Sequence, residues 1–152
     1  MKKIIFSVIA AMMLITTIGC KKGDSNKFVL GLDASFPPMG YTKAGGEIGG
    51  YDIDLAKEVC KRLGLEFVAK PIDWDSKEME LSTGSIDCIW NGFTITEQRQ
   101  NEMSFTEAYL NNDQVLVVRN DGSIKSLKDA AGKIIGTQAG SSGEEAIADN
   151  PD

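Results

Sequence analysis

Apolar residues along this chain recur at two spacings, and the alternation between them predicts the elements. Phe28-Val29-Leu30-Gly31-Leu32 is a short apolar run and reads as a strand. Asp33 to Gly40 follows as a loop, because Pro37 and Pro38 cannot continue a ladder. The glycine-rich stretch from Tyr41 to Tyr51 reads as a hairpin-like excursion. Ile53, Ala56, Val59, Cys60 and Leu63 then recur at helical spacing, with Lys57, Glu58, Lys61 and Arg62 on the other face. Asp52 is the expected N-cap of this helix, and Gly64 its left-handed stop. Residues 65–69 form a second apolar run, and residues 71–75 a loop carrying Trp74. Ser76 is placed to cap a short helix through Leu81, stopped by Gly84, and residues 86–90 form a third strand. Strand, helix, strand, helix, strand predicts a parallel sheet with helical crossovers, an α/β fold.

The pattern continues past this unit. Residues 96–101 read as a short helical turn and residues 105–109 as a connecting segment. Gln114-Val115-Leu116-Val117-Val118-Arg119 is strongly β-branched and predicts a strand. A short helix over 126–131, closed by Gly132, precedes an expected strand over 133–137. Gly140-Ser141-Ser142 opens a helix over 143–148. The strand at Lys133 has no later strand to pair with. One strand and one helix cannot bury a core of their own, so a fragment or a truncated parent is expected.

The first 20 residues have a different character. Met1-Lys2-Lys3 is basic, Ile4 to Ile18 is apolar apart from Ser7, Thr16 and Thr17, and Gly19-Cys20 ends the run. This is the layout of an export signal. The run is shorter than the ~20 apolar residues that a spanning helix needs. Thr17-Ile18-Gly19-Cys20 resembles a bacterial lipobox, which implies lipid on Cys20; Thr17 stands where leucine is usual. Lys21 to Lys27 would then be a polar tether, and about 130 residues remain, the size of one domain.

Composition narrows the chemistry. The net charge of −6, with no basic patch beyond Lys21-Lys22, argues against a nucleic-acid partner. No histidine is present, which excludes Ser-His-Asp and Cys-His catalysis and most transition-metal sites within this chain. Gly140-Ser141-Ser142-Gly143 is not a nucleophile elbow, and the glycines before Tyr51 are not a nucleotide fingerprint. Beyond Cys20 there are Cys60, on the apolar helix face, and Cys88, inside a strand; both are expected as buried free thiols rather than a disulfide or a metal site. No cofactor is expected.

The candidate chemistry lies in Trp90-Asn91-Gly92-Phe93-Thr94-Ile95-Thr96-Glu97-Gln98-Arg99. A strand end releases backbone N–H groups, Thr94 adds a hydroxyl, and Arg99 adds a planar fork that matches a carboxylate. By itself the segment reads equally as a capped turn with a solvated arginine.

Three stretches together resemble a known family: Gly50-Tyr51-Asp52-Ile53-Asp54-Leu55-Ala56, Asp87 to Arg99, and Gly136 to Ser142. They are similar to the polar amino-acid-binding proteins of bacterial ABC importers, which have the type II periplasmic-binding-protein fold. The resemblance runs from about Phe28 to the C-terminus. It implies residues 28–113 as the N-terminal part of a first lobe, 114–119 as a crossover or hinge strand, and 120–152 as an incomplete second lobe, behind a signal over 1–19 and a lipidated tether over 20–27.

It also implies ligand contacts, each beside a plainer role. Arg99 matches the arginine that pairs with the ligand α-carboxylate, or it is a surface arginine. Thr94 matches a hydroxyl beside that carboxylate, and Gly92 a backbone contact. Ser142 matches a second-lobe position on the same carboxylate, and also fits an N-cap. Asp33 matches a position that meets the ligand ammonium or side chain, or it binds its own loop. Phe36 matches an aromatic on the ligand, or it is ordinary core or cleft wall. Trp74, read from the residues alone, lines the cleft or belongs to the core; Trp90 and Tyr109 read as structural. The implied partners are an L-amino acid, ABC permease subunits, and a membrane reached through lipid on Cys20, all outside the cytoplasm. The implied activity is binding without catalysis. Two other classes stand beside it. One is a dehydratase of the same fold acting on a cyclohexadienyl substrate, with Glu97, Asp33 or Asp75 as the acid. The other is a sensory lobe, which would need a signalling region downstream.

Overall fold

A computed structural model describes residues 26–150. The predicted export signal and Cys20 lie outside those residues. The centre of the fold is a three-stranded sheet in which β1 (Lys27–Leu32) lies between β5 (Glu66–Pro71) and β6 (Cys88–Ile89). Both pairings are parallel, as the element order predicts, with Leu30 opposite Ala69 on one side and Cys88 on the other.

Leu30 and Leu32 alternate with Gly31, so they share one sheet face. They pack with Ile53 and Ala56 of α1 (Tyr51–Leu63) into the buried core. Ala69, Phe67 and Trp90 pack around it. The opposite face is closed over Gly31, where an added Cβ would lie 3.2 Å from Ile72 and still nearer Ile86. Gly64 ends α1 at φ 70°, ψ 27°, the left-handed cap expected there. Cys60 is buried on α1 and Cys88 partly buried in β6; both are free thiols. Burial pushes the Cys88 thiol up to about 12, so it is unreactive near neutrality.

The excursion between β1 and α1 is a small antiparallel sheet: β2 (Ser35–Phe36), β3 (Gly40–Thr42) and β4 (Ile48–Gly49). It is fastened to the start of α1. The N–H groups of Tyr51 and Asp52 have no helical acceptor, and they donate to the carbonyls of Pro38 and Met39 at 2.9 and 3.1 Å. Gly50 makes this fit possible. Its φ is +136°, and a Cβ there would collide with the Met39 carbonyl. Gly50→Ala is therefore expected to cost roughly 1–3 kcal/mol in backbone strain alone. A calorimetric melt should fall by several degrees; an unchanged melt would mean that the turn shifts freely.

Several expectations change at this level. Asp52 is not the N-cap of α1; Gly50 is, and Asp52 is buried within the first turn. The third strand shrinks to two residues, because Asp87 turns its side chain onto the ladder and accepts from the Val29 N–H at 2.7 Å. Ser76 precedes α2 (Lys77–Ser82) without a side-chain cap bond, and Trp74 lies in a 3-10 turn, Trp74–Ser76, capped by Asp73. Finally, the residues expected as strands at 114–119 and 133–137 form no ladder among the described residues. Val117 is 87% exposed and Ile134 fully so. A strand needs a neighbour to take its N–H and C=O groups, and the described fold supplies none at these positions. The short helix over 126–131 is a 3-10 turn, Leu127–Ala130, with the capping box between Ser126 and Asp129.

Candidate ligand-binding site

In open parallel sheets, ligands collect outside the carboxyl ends of the strands. The candidate residues come from those ends. Asp33 and Phe36 follow β1, Trp74 follows β5, and Gly92, Thr94 and Arg99 follow β6.

Arg99 sits in α3 (Glu97–Glu102), a short helix whose N-cap Thr96 accepts from the Arg99 N–H at 3.3 Å. Its side chain is buried, with 4% of the residue exposed. The fork divides. Nη1 donates to the Thr94 carbonyl at 3.0 Å, and Nη2 donates to the Gly140 carbonyl at 3.2 Å. The guanidinium lies over the Phe93 ring at 4.3 Å, and Phe93 meets Trp74 edge-on at 5.6 Å and stacks on Phe105 at 5.7 Å. Glu145 stands 3.6 Å from Nη2. The solvated-arginine alternative is therefore wrong: this guanidinium is stacked, directed and enclosed.

A chain of hydroxyls and amides runs beside it. Ser142 Oγ donates to Thr94 Oγ1 at 3.0 Å, Asn112 donates to the same oxygen at 2.8 Å, and Gln114 donates to Ser142 Oγ at 3.0 Å. Ser142 is the first residue of α4 (Ser142–Ala148); the N-cap is its neighbour Ser141, which accepts from Glu144 N. Ser142 is thereby released from capping, and its hydroxyl faces Thr94.

Asp33 joins the segment after residue 133 at another point. One of its oxygens accepts from the Ser35 N–H at 2.8 Å, as its loop role predicts, and the other accepts from Gln138 Nε2 at 2.9 Å. Phe36 is exposed, close to Gly92: a Cβ at Gly92 would lie 3.5 Å from its ring. The Gly92 N–H is spent on Asp52, so a backbone contact to a ligand there falls to its carbonyl.

Four contributors were not singled out by the sequence reading. Asp52 is fully buried and accepts from the Gly92 N–H and, at 2.8 Å, from the Tyr109 hydroxyl. Burial pushes its carboxyl up, while the Tyr109 and Gly92 bonds pull the other way. Burial, and after it the same contact, pushes the Tyr109 hydroxyl up. Phe93 is the stacking plate for Arg99. Gln138 is the partner of Asp33. Lys77 is 3% exposed and donates to the Gly140 carbonyl at 3.2 Å. Only Asp52 carried a signal in the sequence, a carboxylate in the Gly-Tyr-Asp-Ile-Asp run, and its neighbour relation to Gly92 spans 40 residues.

The family of the chain follows from comparison. Residues 28–145 match the model of the bacterial extracellular solute-binding proteins, family 3, and the chain belongs to that family. Its fold is the type II periplasmic-binding-protein fold. The arginine-binding extracellular protein ArtP of Bacillus subtilis is 32% identical over 151 residues, 95% of this chain and 59% of the relative. An ABC uptake transporter substrate-binding protein from Streptococcus pneumoniae, solved with bound histidine, superposes with a TM-score of 0.80 at 42% identity, over 84% of this chain and 52% of that one. A variant of the arginine-bound form of domain 1 from TmArgBP matches at a TM-score of 0.55 and 40% identity, over 57% of this chain and 67% of that one. The chain spans about half the length of the curated relatives it matches, 59% of ArtP and 50% of a cystine-binding one from Escherichia coli.

Proposed function

We propose that this chain captures an L-amino acid outside the cytoplasm and delivers it to an ABC permease, by binding alone. The observation that carries the reading is Arg99. It is a buried guanidinium stacked on Phe93, with its fork aimed at the loop that bears Ser142 and with the Thr94 hydroxyl beside it. That set is suited to an α-carboxylate. Asp33, at the other end, is suited to an ammonium or a basic side chain, and Phe36 and Trp74 to the apolar walls. Of the relatives described above, one is named for arginine, one was solved with histidine and one is named for cystine; a polar amino acid, with the basic ones foremost, is the ligand class assigned here. The arginine-bound domain 1 supports the idea that one lobe already offers much of the site.

The rest of the reading concerns architecture. Residues 28–113 act as the first lobe, 114–119 as the hinge, and 120–152 as the start of the second, with ligand drawing the two together. Residues 1–19 serve as the export signal, and lipid on Cys20 holds the protein at the membrane beside its permease.

The test is thermal melting of the full chain against a panel of L-amino acids. A ligand held by the folded state alone adds about 2.7 kcal/mol at a hundredfold excess over its dissociation constant, which moves the melt by several degrees. L-arginine or L-histidine is expected to raise the midpoint, and neutral or acidic amino acids to raise it less. A flat response across the whole panel, on a cooperative melt, would overturn the proposal.

A further inference from the structure

Lys77 is the least expected cation in this fold. It lies on the short, charged helix α2, and yet it is buried. Its ammonium sits over the Trp74 ring at 5.3 Å and donates to the Gly140 carbonyl at 3.2 Å. Arg99 Nη2 donates to the same carbonyl oxygen, also at 3.2 Å. Two buried cations from different elements thus converge on one neutral oxygen. A cavity of about 390 Å³ opens on this point; Lys77 and Arg99 are its cations, and Asp75, Glu78, Glu102 and Glu145 are its carboxylates.

The charges around the pair are placed unevenly. Glu78 is 2.9 Å from Lys77 and Glu145 is 3.6 Å from Arg99, but their side chains are 38% and 32% exposed. Both carboxylates keep a face to solvent, so each can turn outward to admit a ligand oxygen, at the cost of its own ion pair. A carbonyl dipole is a poor reward for two desolvated cations, and a carboxylate oxygen in the same place is a much better one.

We propose that Lys77 is a second cationic group of the carboxylate site, and that the Gly140 carbonyl marks the place an oxygen of the ligand carboxylate takes. The inference rests on the amino-acid-binding reading above and adds a residue to it. It makes the site a two-cation grip, in which Arg99 supplies the planar fork and Lys77 a point charge from the other side.

The experiment is titration calorimetry on the full chain with L-arginine and L-histidine, each beside its own carboxamide, which lacks the anionic oxygen. In the unmodified protein the acid should bind more tightly than the amide. Lys77→Met keeps an unbranched side chain of similar length and removes the charge. It should cut the preference for acid over amide by about tenfold, the scale of a charge-assisted bond, and leave amide affinity nearly unchanged. Equal losses for acid and amide would show a packing role and overturn the inference. Should Lys77→Met fail to melt cooperatively, Glu78→Gln decides alone: freeing Lys77 should raise the preference, and an unchanged preference rejects the idea. Arg99→Ala separates the two claims. If Arg99→Ala abolishes the preference while Lys77→Met leaves it intact, this inference alone falls. If neither amino acid binds, the binding reading falls and takes this one with it; a preference that survives both Arg99→Ala and Lys77→Met places the carboxylate elsewhere and overturns this inference while binding stands.

Discussion

Arg99→Ala is expected to remove most amino-acid affinity. A buried charge-assisted pair of this kind is worth about 2–5 kcal/mol when one partner is truncated, a loss of roughly thirtyfold to several thousandfold in affinity. Part of that loss is architectural. Nη1 ties down the Thr94 carbonyl and Nη2 the Gly140 carbonyl, so alanine frees both the β6 end and the loop before α4. It also uncovers Phe93. Arg99→Lys separates these contributions. Lysine keeps the positive charge but cannot hold two carbonyls and a carboxylate in one plane. It should retain part of the affinity while losing stability, which calorimetric titration and melting read independently. An Arg99→Ala protein that binds L-arginine and L-histidine as the unmodified chain does would remove the carboxylate assignment.

The elements that the sequence predicted well are those whose cause is local or periodic. Of the predicted α1 stripe, Ile53, Ala56 and Cys60 are buried as the spacing requires, while Val59 and Leu63 stay exposed, and Gly64 closes the helix because only glycine takes a left-handed cap without strain. The parallel sheet followed from element order. The segment Gln114 to Arg119 failed for a reason that is not local. β-branched composition describes a residue that fits a pleated surface, and a ladder exists only where another strand offers one. Among the described residues none does.

The site shows the same division. Arg99 and Thr94 were visible as a guanidinium and a hydroxyl near a strand end, and the family resemblance chose the carboxylate role for them and added Ser142. They meet in space, through the Ser142–Thr94 bond and the Gly140 carbonyl. Lys77 was invisible because a lysine on a short charged helix looks solvated until the fold buries it. Phe93 was hidden in plain view within the quoted motif, since nothing in a sequence says which residue an aromatic ring will face. Gln138, which meets Asp33, lies 105 residues away from it.

Asp52 is the residue where sequence and structure differ most, and its substitution carries the largest expected loss of stability. Asp52→Ala removes the acceptor of the Gly92 N–H and of the Tyr109 hydroxyl, two part-buried bonds. A hydrogen bond to a charged group is worth about 1.5–3 kcal/mol, so the melt should fall by roughly 10 °C. Asp52→Asn should be far milder, because its amide oxygen still accepts from Gly92 and its nitrogen can donate to the Tyr109 oxygen. The two carboxyl states differ in pH dependence, and the sign follows from burial. The folded-state value lies above the ordinary 3.8, because desolvation outweighs the two hydrogen bonds. Folding therefore favours the protonated acid. That contribution is fully present below the ordinary value and is lost as pH rises through the folded one. Asparagine has no such titration. The stability of the unmodified chain, measured against Asp52→Asn by denaturant melts, should fall as pH rises from acid to neutral. A gap that widens in favour of aspartate instead would mean that the hydrogen bonds, not burial, govern the group. Affinity supplies the last comparison: Asp52 holds Gly92, and Gly92 leads directly into Thr94, so Asp52→Ala should weaken amino-acid binding while Asp52→Asn preserves it.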